Sequence, residues 1–258
     1  MKILRMGFIR GAWRHLSIIP RLIYRVRGWP RLVADCMGQR RRPYRCVISG
    51  GASCDMRPGT SDWWIFLEVF VFENYRRAEK DIRQAKIIVD IGANVGFFAL
   101  YASYLNPQVA IHAFEPFPKN ANQLKNNLLL NSNCRIHFHP EAVSDKTGAA
   151  ALYFTPGIDS GCSLSQPKSQ SCSVNVVSIN DLFNLCGVEK IDLLKLDCEG
   201  SELGILSAIS REQLSKIRSV IMEYHDLAEV ESLQRILFDS GFKCELFPQI
   251  NTLYASQG

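Results

Sequence analysis

The segment from residue 86 to residue 96, Lys-Ile-Ile-Val-Asp-Ile-Gly-Ala-Asn-Val-Gly, constrains the fold more than any other part of the chain. A continuous run of β-branched residues is typical of a strand that is buried in a parallel sheet. Gly92 and Gly96 follow this run, and glycine allows the backbone to turn sharply and to approach a ligand closely. The segment therefore predicts a buried strand that ends in a tight turn.

A second apolar run ends in an acid. Phe114-Glu115-Pro116 begins 18 residues after Gly96. A carboxylate at the end of the next strand can accept two hydrogen bonds from ribose hydroxyls. An ordinary strand–turn–helix corner would explain the glycines alone but not the acid at this spacing, so the two segments together predict a nucleoside-binding strand–helix–strand unit.

The turn favours S-adenosylmethionine over a dinucleotide. The usual dinucleotide fingerprint is G-x-G-x-x-G at a helix N-terminus, whereas here Gly92 and Gly96 are four positions apart and Asp90 precedes them. A carboxylate would repel a pyrophosphate, and it would attract the amine and the sulfonium of S-adenosylmethionine. A nicotinamide-dependent oxidoreductase is the alternative enzyme.

Charge is divided unevenly along the 258 residues. Residues 1–45 hold 12 Lys and Arg and one acid, Asp35, which gives a net charge of +11. The other 213 residues hold 18 Lys and Arg and 24 Asp and Glu, which gives −6. This mildly acidic body lacks the basic surface of a nucleic-acid-binding protein, so no nucleic-acid partner is expected.

The basic N-terminal segment leaves several interpretations open. Its apolar residues, from Phe8 to Val26, fall near helical spacing with arginines between them, and a basic amphipathic helix can lie on an anionic membrane surface. We favour the other interpretation, in which the segment packs as an arm on the body or on a second copy, or stays partly disordered. A non-catalytic module that docks through this arm is the non-enzyme alternative.

Several classes of protein are not indicated. No stretch approaches the ~20 apolar residues that span a bilayer, and basic residues interrupt any signal-peptide core near the start. Nine cysteines include no Cys-x-x-Cys pair, so neither a disulfide framework nor a zinc site is predicted. We expect a cytoplasmic protein with free thiols, and peripheral membrane contact stays open.

Strands alternate with helices from residue 86 onward. This alternation predicts an α/β fold with a mostly parallel sheet and helices on both faces, and residues 242–247 and 251–255 read as a final antiparallel hairpin. Three units are expected: a basic arm (1–45), a lead-in that covers the pocket (46–85) and the cofactor-binding domain (86–258).

The middle of that domain departs from the alternation. Residues 149–154 and 173–178 read as hairpin strands around a flexible stretch rich in Ser, Gly and Pro, residues 156–171. Residues 141–145 are expected to form a loop. Substrate contacts are expected from the flexible stretch and from the lead-in.

Ligands of open α/β sheets bind beyond the carboxyl ends of the strands. Polar residues follow five of the predicted strands and should therefore surround one crevice. They are Asp90 to Asn94, Glu115, Ser144 and Asp145, Asp197 to Glu199, and Glu223 to Asp226.

Asp197, Glu199 and His225 are the candidate catalytic residues. Two carboxylates at a strand end beside a nucleoside pocket are costly unless they are used, and a histidine near neutrality is a natural general base. Lys195 alternates with the two acids along the strand, and we expect it to form a structural ion pair. A hydroxyl acceptor would lose its proton either to one of the three residues or with the help of a divalent metal, although no metal ligand is assigned.

The chain resembles the FkbM-type family of S-adenosylmethionine-dependent methyltransferases. Three segments carry most of the resemblance: residues 89–96, residues 114–116, and the K-x-D-x-E-G-x-E element from Lys195 to Glu202. The resemblance implies a seven-stranded class I (Rossmann-like) methyltransferase fold and O-methylation of a saccharide or small-metabolite hydroxyl. It also implies a set of cofactor-binding residues: Asp90, Gly92, Ala93, Asn94 and Gly96 around the methionine part, Glu115 at the ribose, and Ser144 and Asp145 by the adenine.

Overall fold

The structure is a computed structural model that describes residues 18–257. Its strands, in chain order, are β1 Val26–Arg27, β2 Tyr44–Ile48, β3 Ser53–Met56, β4 Ile87–Ile91, β5 Ala110–Phe114, β6 Ile136–His139, β7 Ala142–Ser144, β8 Gly148–Thr155, β9 Ile158–Ser163, β10 Gln170–Ser178, β11 Ile191–Leu196, β12 Ile217–Glu223, β13 Phe242–Phe247 and β14 Thr252–Gln257. Its α-helices are α1 Ile18–Arg25, α2 Trp29–Cys36, α3 Asp62–Phe70, α4 Glu79–Gln84, α5 Phe97–Leu105, α6 Pro118–Leu129, α7 Leu182–Cys186, α8 Glu202–Ala208, α9 Arg211–Leu214 and α10 Val230–Asp239. Short 3-10 turns occupy Arg76–Ala78, Leu227–Glu229 and Pro248–Ile250.

The central sheet has seven strands in the order β13-β14-β12-β11-β4-β5-β6. The strands from β12 to β6 are parallel, and β14 runs antiparallel to both of its neighbours. This arrangement confirms the mostly parallel sheet and the final hairpin that the sequence predicts. The inner strand β4 is covered on both faces, which explains why Ile88 and Val89 are fully buried and why the strand reads as a continuous apolar run.

Each face of the sheet has its own hydrophobic core. On one face α3 and α5 pack together, and Phe66 of α3 meets Phe97 of α5 edge-on at 5.6 Å between ring centroids. On the other face α8 and α10 bury Leu206 and Leu237 against the sheet. Burying each such side chain contributes about 1.5–3 kcal/mol, so these cores hold the strand ends of the central sheet in fixed positions.

A second sheet, with strand order β7-β10-β8-β9, changes two expectations. The predicted loop 141–145 contains the strand β7, and the predicted flexible stretch 156–171 contains the strand β9. The β9 sequence has no apolar alternation. It becomes a strand because the turn after Thr155 folds it back on β8 as an edge strand. The expected pairing of 149–154 with 173–178 is confirmed by β8 and β10.

The described part of the basic segment packs on the body. Its strand β1 pairs with β2 in a three-stranded sheet, and the predicted boundary at residue 45 falls inside β2. Leu22, Val26 and Leu32 are buried in the core shared with α3 and α5. Most of the predicted amphipathic pattern, including Phe8, lies outside the described residues. Within residues 18–257, no helix combines the length and apolarity needed to cross a membrane.

Candidate active site

One cleft lies beyond the carboxyl ends of β4, β5, β11 and β12. Helix α3 of the lead-in and strand β9 cover it from two sides. This is the position at which open α/β sheets bind ligands. Of the residues predicted from the sequence, the cleft wall includes Gly92, Ala93, Asn94, Glu115, Asp197, Glu199 and His225.

The turn after β4 requires glycine at position 92. Gly92 has φ +79°, and a Cβ atom there would lie 1.8 Å from the carbonyl oxygen of Asp197. The loops after β4 and β11 therefore touch through their backbones, which leaves no room for any side chain. Gly96, with φ +86°, turns the chain into α5 and does not line the cleft.

Glu115 is a buried carboxylate held by two backbone amides. Its Oε2 accepts from the amide of Asn94 at 2.8 Å, and its Oε1 accepts from the amide of Phe117 at 2.9 Å. Burial raises the pKa of Glu115 to about 7, although the two hydrogen bonds act in the opposite direction. Each oxygen keeps a second lone pair, so the carboxylate can still accept from a ligand in the cleft.

Asn94 adds a second acceptor beside Glu115. Its side-chain Oδ1 is buried and has no hydrogen-bond partner among residues 18–257. Its backbone φ of +51° is left-handed, which is uncommon outside glycine but tolerated by asparagine. An unpartnered buried oxygen on a cleft wall points to a ligand that donates a hydrogen bond.

Asp90 lies beneath the cleft instead of on its wall. It is fully buried, and its Oδ1 lies 3.0 Å from Nζ of Lys195, which also donates to the carbonyl of Gly92 at 2.8 Å. Burial raises the pKa of Asp90. Burial disfavours the Lys195 ammonium too, yet Asp90 and Asp197 hold the pKa of Lys195 well above its usual value. The predicted ion pair of Lys195 is confirmed, and it supports the floor of the cleft.

His225 stands among three carboxylates. Its Nδ1 lies 3.1 Å from Oε1 of Glu202, while its Nε2 lies 3.4 Å from Glu199 and 3.9 Å from Asp197. Burial disfavours the charged ring, but the hydrogen bond to Glu202 and the charges of Glu199 and Glu202 raise the pKa of His225 to about 9. At neutral pH the ring therefore carries a proton and a positive charge.

Glu202 fixes both the histidine and the loop after β11. It is 1% exposed, and it accepts from the amides of Cys198 and Gly200, each at 2.9 Å. Burial opposes its ionisation, but the hydrogen bond with His225, the charge of His225 and the backbone amides of Glu202 itself and Cys198 lower its pKa. Glu199, which lies between Cys198 and Gly200, has φ +57°, and this conformation is strained for a glutamate. Residues with such strained backbones are found preferentially at functional sites.

Two further acids face the same end of the cleft: Glu68, which the sequence did not predict, and Glu223, which belongs to the polar set predicted at the strand ends. Glu68 of α3 and Glu223 at the end of β12 both line it. Burial and the nearby charge of Asp197 raise the pKa of Glu68 to about 7 and that of Glu223 to about 8. The available signal for Glu68 was a single acid within the apolar run from Trp63 to Phe70.

The residues that face the cleft after β6 differ from those that the sequence predicts. Glu141, Ala142 and Val143 line the cleft, whereas Ser144 and Asp145 do not. Because 142–144 forms β7, the chain leaves the cleft before Ser144 is reached. The Oε2 atom of Glu141 is buried without a hydrogen-bond partner in the described chain, so this acid is the polar group available there.

Arg57 ties the lead-in to the cleft. It donates to both carboxylate oxygens of Asp62, at 3.0 and 2.7 Å, and to Oδ1 of Asn120 at 3.0 Å. Its Nη1 also lies 3.6 Å from Asp159 of β9, and Asn120 donates to the carbonyl of Asp159 at 2.7 Å. These contacts link the lead-in, which precedes the central strands, to β9, which follows β6, and the two segments together cover the cleft.

Comparison with known proteins identifies a family to which the sequence is similar. A sequence profile described as Methyltransferase FkbM domain matches residues 90–255. The match runs from Asp90, the penultimate residue of β4, into the last strand. It therefore includes every predicted site residue.

Three curated proteins illustrate the similarity. The 31-O-demethyl-FK506 methyltransferase FkbM of Streptomyces tacrolimicus is 27% identical over 67% of this chain and 79% of its own. The 2-O-methyltransferase NoeI of Sinorhizobium fredii is 29% identical over 54% of this chain and 63% of its own. The hexuronic acid methyltransferase AglP of Haloferax volcanii is 22% identical over 88% of this chain and 92% of its own.

Proposed function

Since the chain belongs to the family of proteins with a methyltransferase FkbM domain, we propose that it transfers a methyl group from S-adenosylmethionine to a hydroxyl group of a saccharide or small metabolite. Two of the similar proteins carry O-methyl transfer in their names, and a third acts on a hexuronic acid. The acceptor class is inferred from these names and from the chemistry of the cleft.

The observation that carries the proposal is the division of one cleft into two chemical ends. One end has Glu115 and the unpartnered Oδ1 of Asn94, which suits the ribose hydroxyls and amine donors of a nucleoside. The other end has the carboxylates of Asp197 and Glu199 beside His225. When bound, S-adenosylmethionine supplies a methyl group already activated on a cationic sulfur.

We assign removal of the acceptor proton to Glu199. His225 is protonated at neutral pH and so cannot take a proton there, whereas burial raises the pKa of Glu199 and makes it a stronger base. When the acceptor oxygen takes the methyl group and the methyl–sulfur bond of the donor breaks, leaving a neutral thioether, the O–H proton of the acceptor would pass to the Glu199 carboxylate. Glu202 positions His225, whose charge holds Glu199 against the cleft.

Calorimetric titration with S-adenosylmethionine, and separately with NADH, tests the cofactor. We expect binding of S-adenosylmethionine alone. Glu115→Gln should weaken it by about 1.5–3 kcal/mol, roughly ten- to a hundredfold, because charge-assisted hydrogen bonds to the ribose are lost. The exposed Glu212→Gln is the control and should bind like the wild type. Binding of NADH instead would favour the oxidoreductase, and an unchanged affinity of Glu115→Gln would refute the ribose assignment.

Transfer of a labelled methyl group to a panel of saccharides and hydroxylated metabolites tests the chemistry. With an acceptor found, Glu199→Gln should lower turnover by about 10²–10⁴-fold and leave S-adenosylmethionine affinity nearly unchanged. Asp197→Asn should also lose turnover while retaining cofactor binding. A fully active Glu199→Gln variant would move the base to another group. Cofactor binding without transfer to any acceptor would favour a non-catalytic module.

A further inference from the structure

Two histidines and a cysteine meet outside the cleft, on the face of the central sheet that α7 covers. His112 lies in β5, His139 ends β6, and Cys186 ends α7. Alternation along β5 puts His112 on the same face as Phe114, and the Phe114 ring stacks on His139 at 4.4 Å. None of the three lines the cleft.

The three side chains bring their donor atoms close together. His112 Nδ1 lies 3.0 Å from His139 Nε2, and Cys186 Sγ and these nitrogens all lie within 4.8 Å of one another. In a tetrahedral zinc site with Zn–N near 2.0 Å and Zn–S near 2.3 Å, neighbouring donors are about 3.3–3.6 Å apart. The nitrogens are already near that spacing, and the thiol sulfur lies no more than 4.8 Å from either of them.

We propose that His112, His139 and Cys186 form a binding site for Zn²⁺. Imidazole and thiolate are the ligands that zinc prefers in proteins, and water completes the tetrahedron at this half-buried position. On binding, the thiol S–H bond breaks, its proton passes to solvent and a Zn–S bond forms. The sequence carried no zinc signal because the three ligands come from three separate elements.

Metal binding requires a change of protonation at this cluster. His112 Nδ1 and His139 Nε2 share a hydrogen bond, so one of the two nitrogens carries the proton. For both to bind the metal, that ring must carry its proton on its other nitrogen, and the Cys186 thiol must release its own. Because a proton is released, affinity should increase with pH.

The site is connected to the candidate active site through one peptide group. The backbone carbonyl of His139 accepts from the amide of Glu115 at 3.0 Å, and Glu115 is the buried acid of the cleft. A metal that holds His139 to Cys186 would fix both α7 and this strand end. Its role is structural, and it is independent of whether the chain transfers methyl groups.

Titration of the chelator-treated full chain with Co²⁺ tests the proposal. Co²⁺ takes the same ligands and reports a thiolate through a charge-transfer band. We expect this band to saturate at one equivalent and to disappear when Zn²⁺ is added. Cys186→Ser should abolish the band, while Cys172→Ser, a half-buried thiol in β10, should retain it. A band that survives in Cys186→Ser would show that other thiols bind the ion and would overturn the proposal.

Thermal unfolding gives a second readout that does not depend on cobalt. Zn²⁺ should raise the melting temperature of the wild type and of Cys172→Ser but not of Cys186→Ser or His139→Gln. If a ligand variant fails to fold, the wild type still decides. No saturating band and no shift with Zn²⁺ would mean that His112 and His139 form only a hydrogen-bonded pair.

Discussion

Replacing Lys195 with methionine tests the ion pair beneath the cleft. Methionine keeps much of the apolar stem but removes the ammonium, which lies 3.0 Å from Asp90 Oδ1. The two side chains are 3% and 0% exposed, so no solvent can replace the lost partner of the carboxylate. Removing one member of a buried pair costs about 3–5 kcal/mol. We expect Lys195→Met to lower the free energy of unfolding by that amount at pH 7, measured by urea denaturation.

A surface pair supplies the matched control. Lys216 and Glu212 lie 2.7 Å apart with side chains that are 40% and 79% exposed, so Lys216→Met should leave the urea midpoint within error. Adding Asp90→Asn to Lys195→Met should recover part of the loss because it removes the unpaired charge. A loss below about 1 kcal/mol, or no recovery in the double variant, would refute the argument that the unpaired charge sets the cost.

Acidity should also modulate that loss. Burial raises the pKa of Asp90 in the folded state, and removal of Lys195 would raise it further. A carboxyl whose pKa is higher in the folded state than in the unfolded state destabilises the fold above its unfolded pKa, and protonation relieves the penalty. The difference between Lys195→Met and the wild type should therefore shrink as the pH falls.

Two further predictions concern the cleft. Gly92→Ala should abolish S-adenosylmethionine binding in calorimetry and lower the melting temperature, because its Cβ would lie 1.8 Å from a backbone oxygen. The control is Gly204→Ala in α8, where a Cβ has nothing within 4 Å, and it should stabilise the fold by about 0.5–1 kcal/mol. A Gly92→Ala variant that still binds the cofactor would refute the argument from this contact. His225 has a pKa raised from 6.5 to about 9, so its stabilising contribution is complete below pH 6.5 and disappears as the pH rises through 9. The free energy of unfolding, measured in urea, should therefore fall less between pH 6.5 and pH 9 for His225→Gln than for the wild type. An equal dependence of this free energy on pH in the two proteins would contradict the prediction.

The end of the cleft around Glu115 was largely predictable from the sequence. Gly92 and Glu115 stand at the ends of two adjacent strands within one short stretch, and strand alternation fixes where such residues meet. The ion pair of Lys195 followed from the same logic, since alternation placed it on the face of a neighbouring acid. The local sequence pattern was sufficient here because these contacts join the ends of strands that are neighbours in the parallel sheet.

The opposite end was only partly predictable. Glu68 belongs to the lead-in, and its position over Asp197 depends on how α3 packs against α5, which no local pattern specifies. Strand β9 forms by pairing at an edge without any alternation of its own, so it read as flexible. The sequence predicted Ser144 and Asp145 instead of Glu141 because residues 141–145 were expected to form a loop. They contain the strand β7, which carries the chain away from the cleft after Val143. In each case tertiary packing determined the outcome.

The cover over the cleft has a consequence for how such a protein can diversify. The wall near Glu115 is built mainly from two neighbouring segments, within residues 91–98 and 114–116, whereas the wall near Glu199 takes side chains from α3, β9, the β11 loop and the end of β12. The β11 loop touches Gly92 and α3 packs on Phe97 of the first wall, so β9 and the end of β12 are the contributors whose exchange would disturb the first wall least. Under the proposed function, exchange of these short segments between relatives would change the choice of acceptor while the methyl donor stays the same.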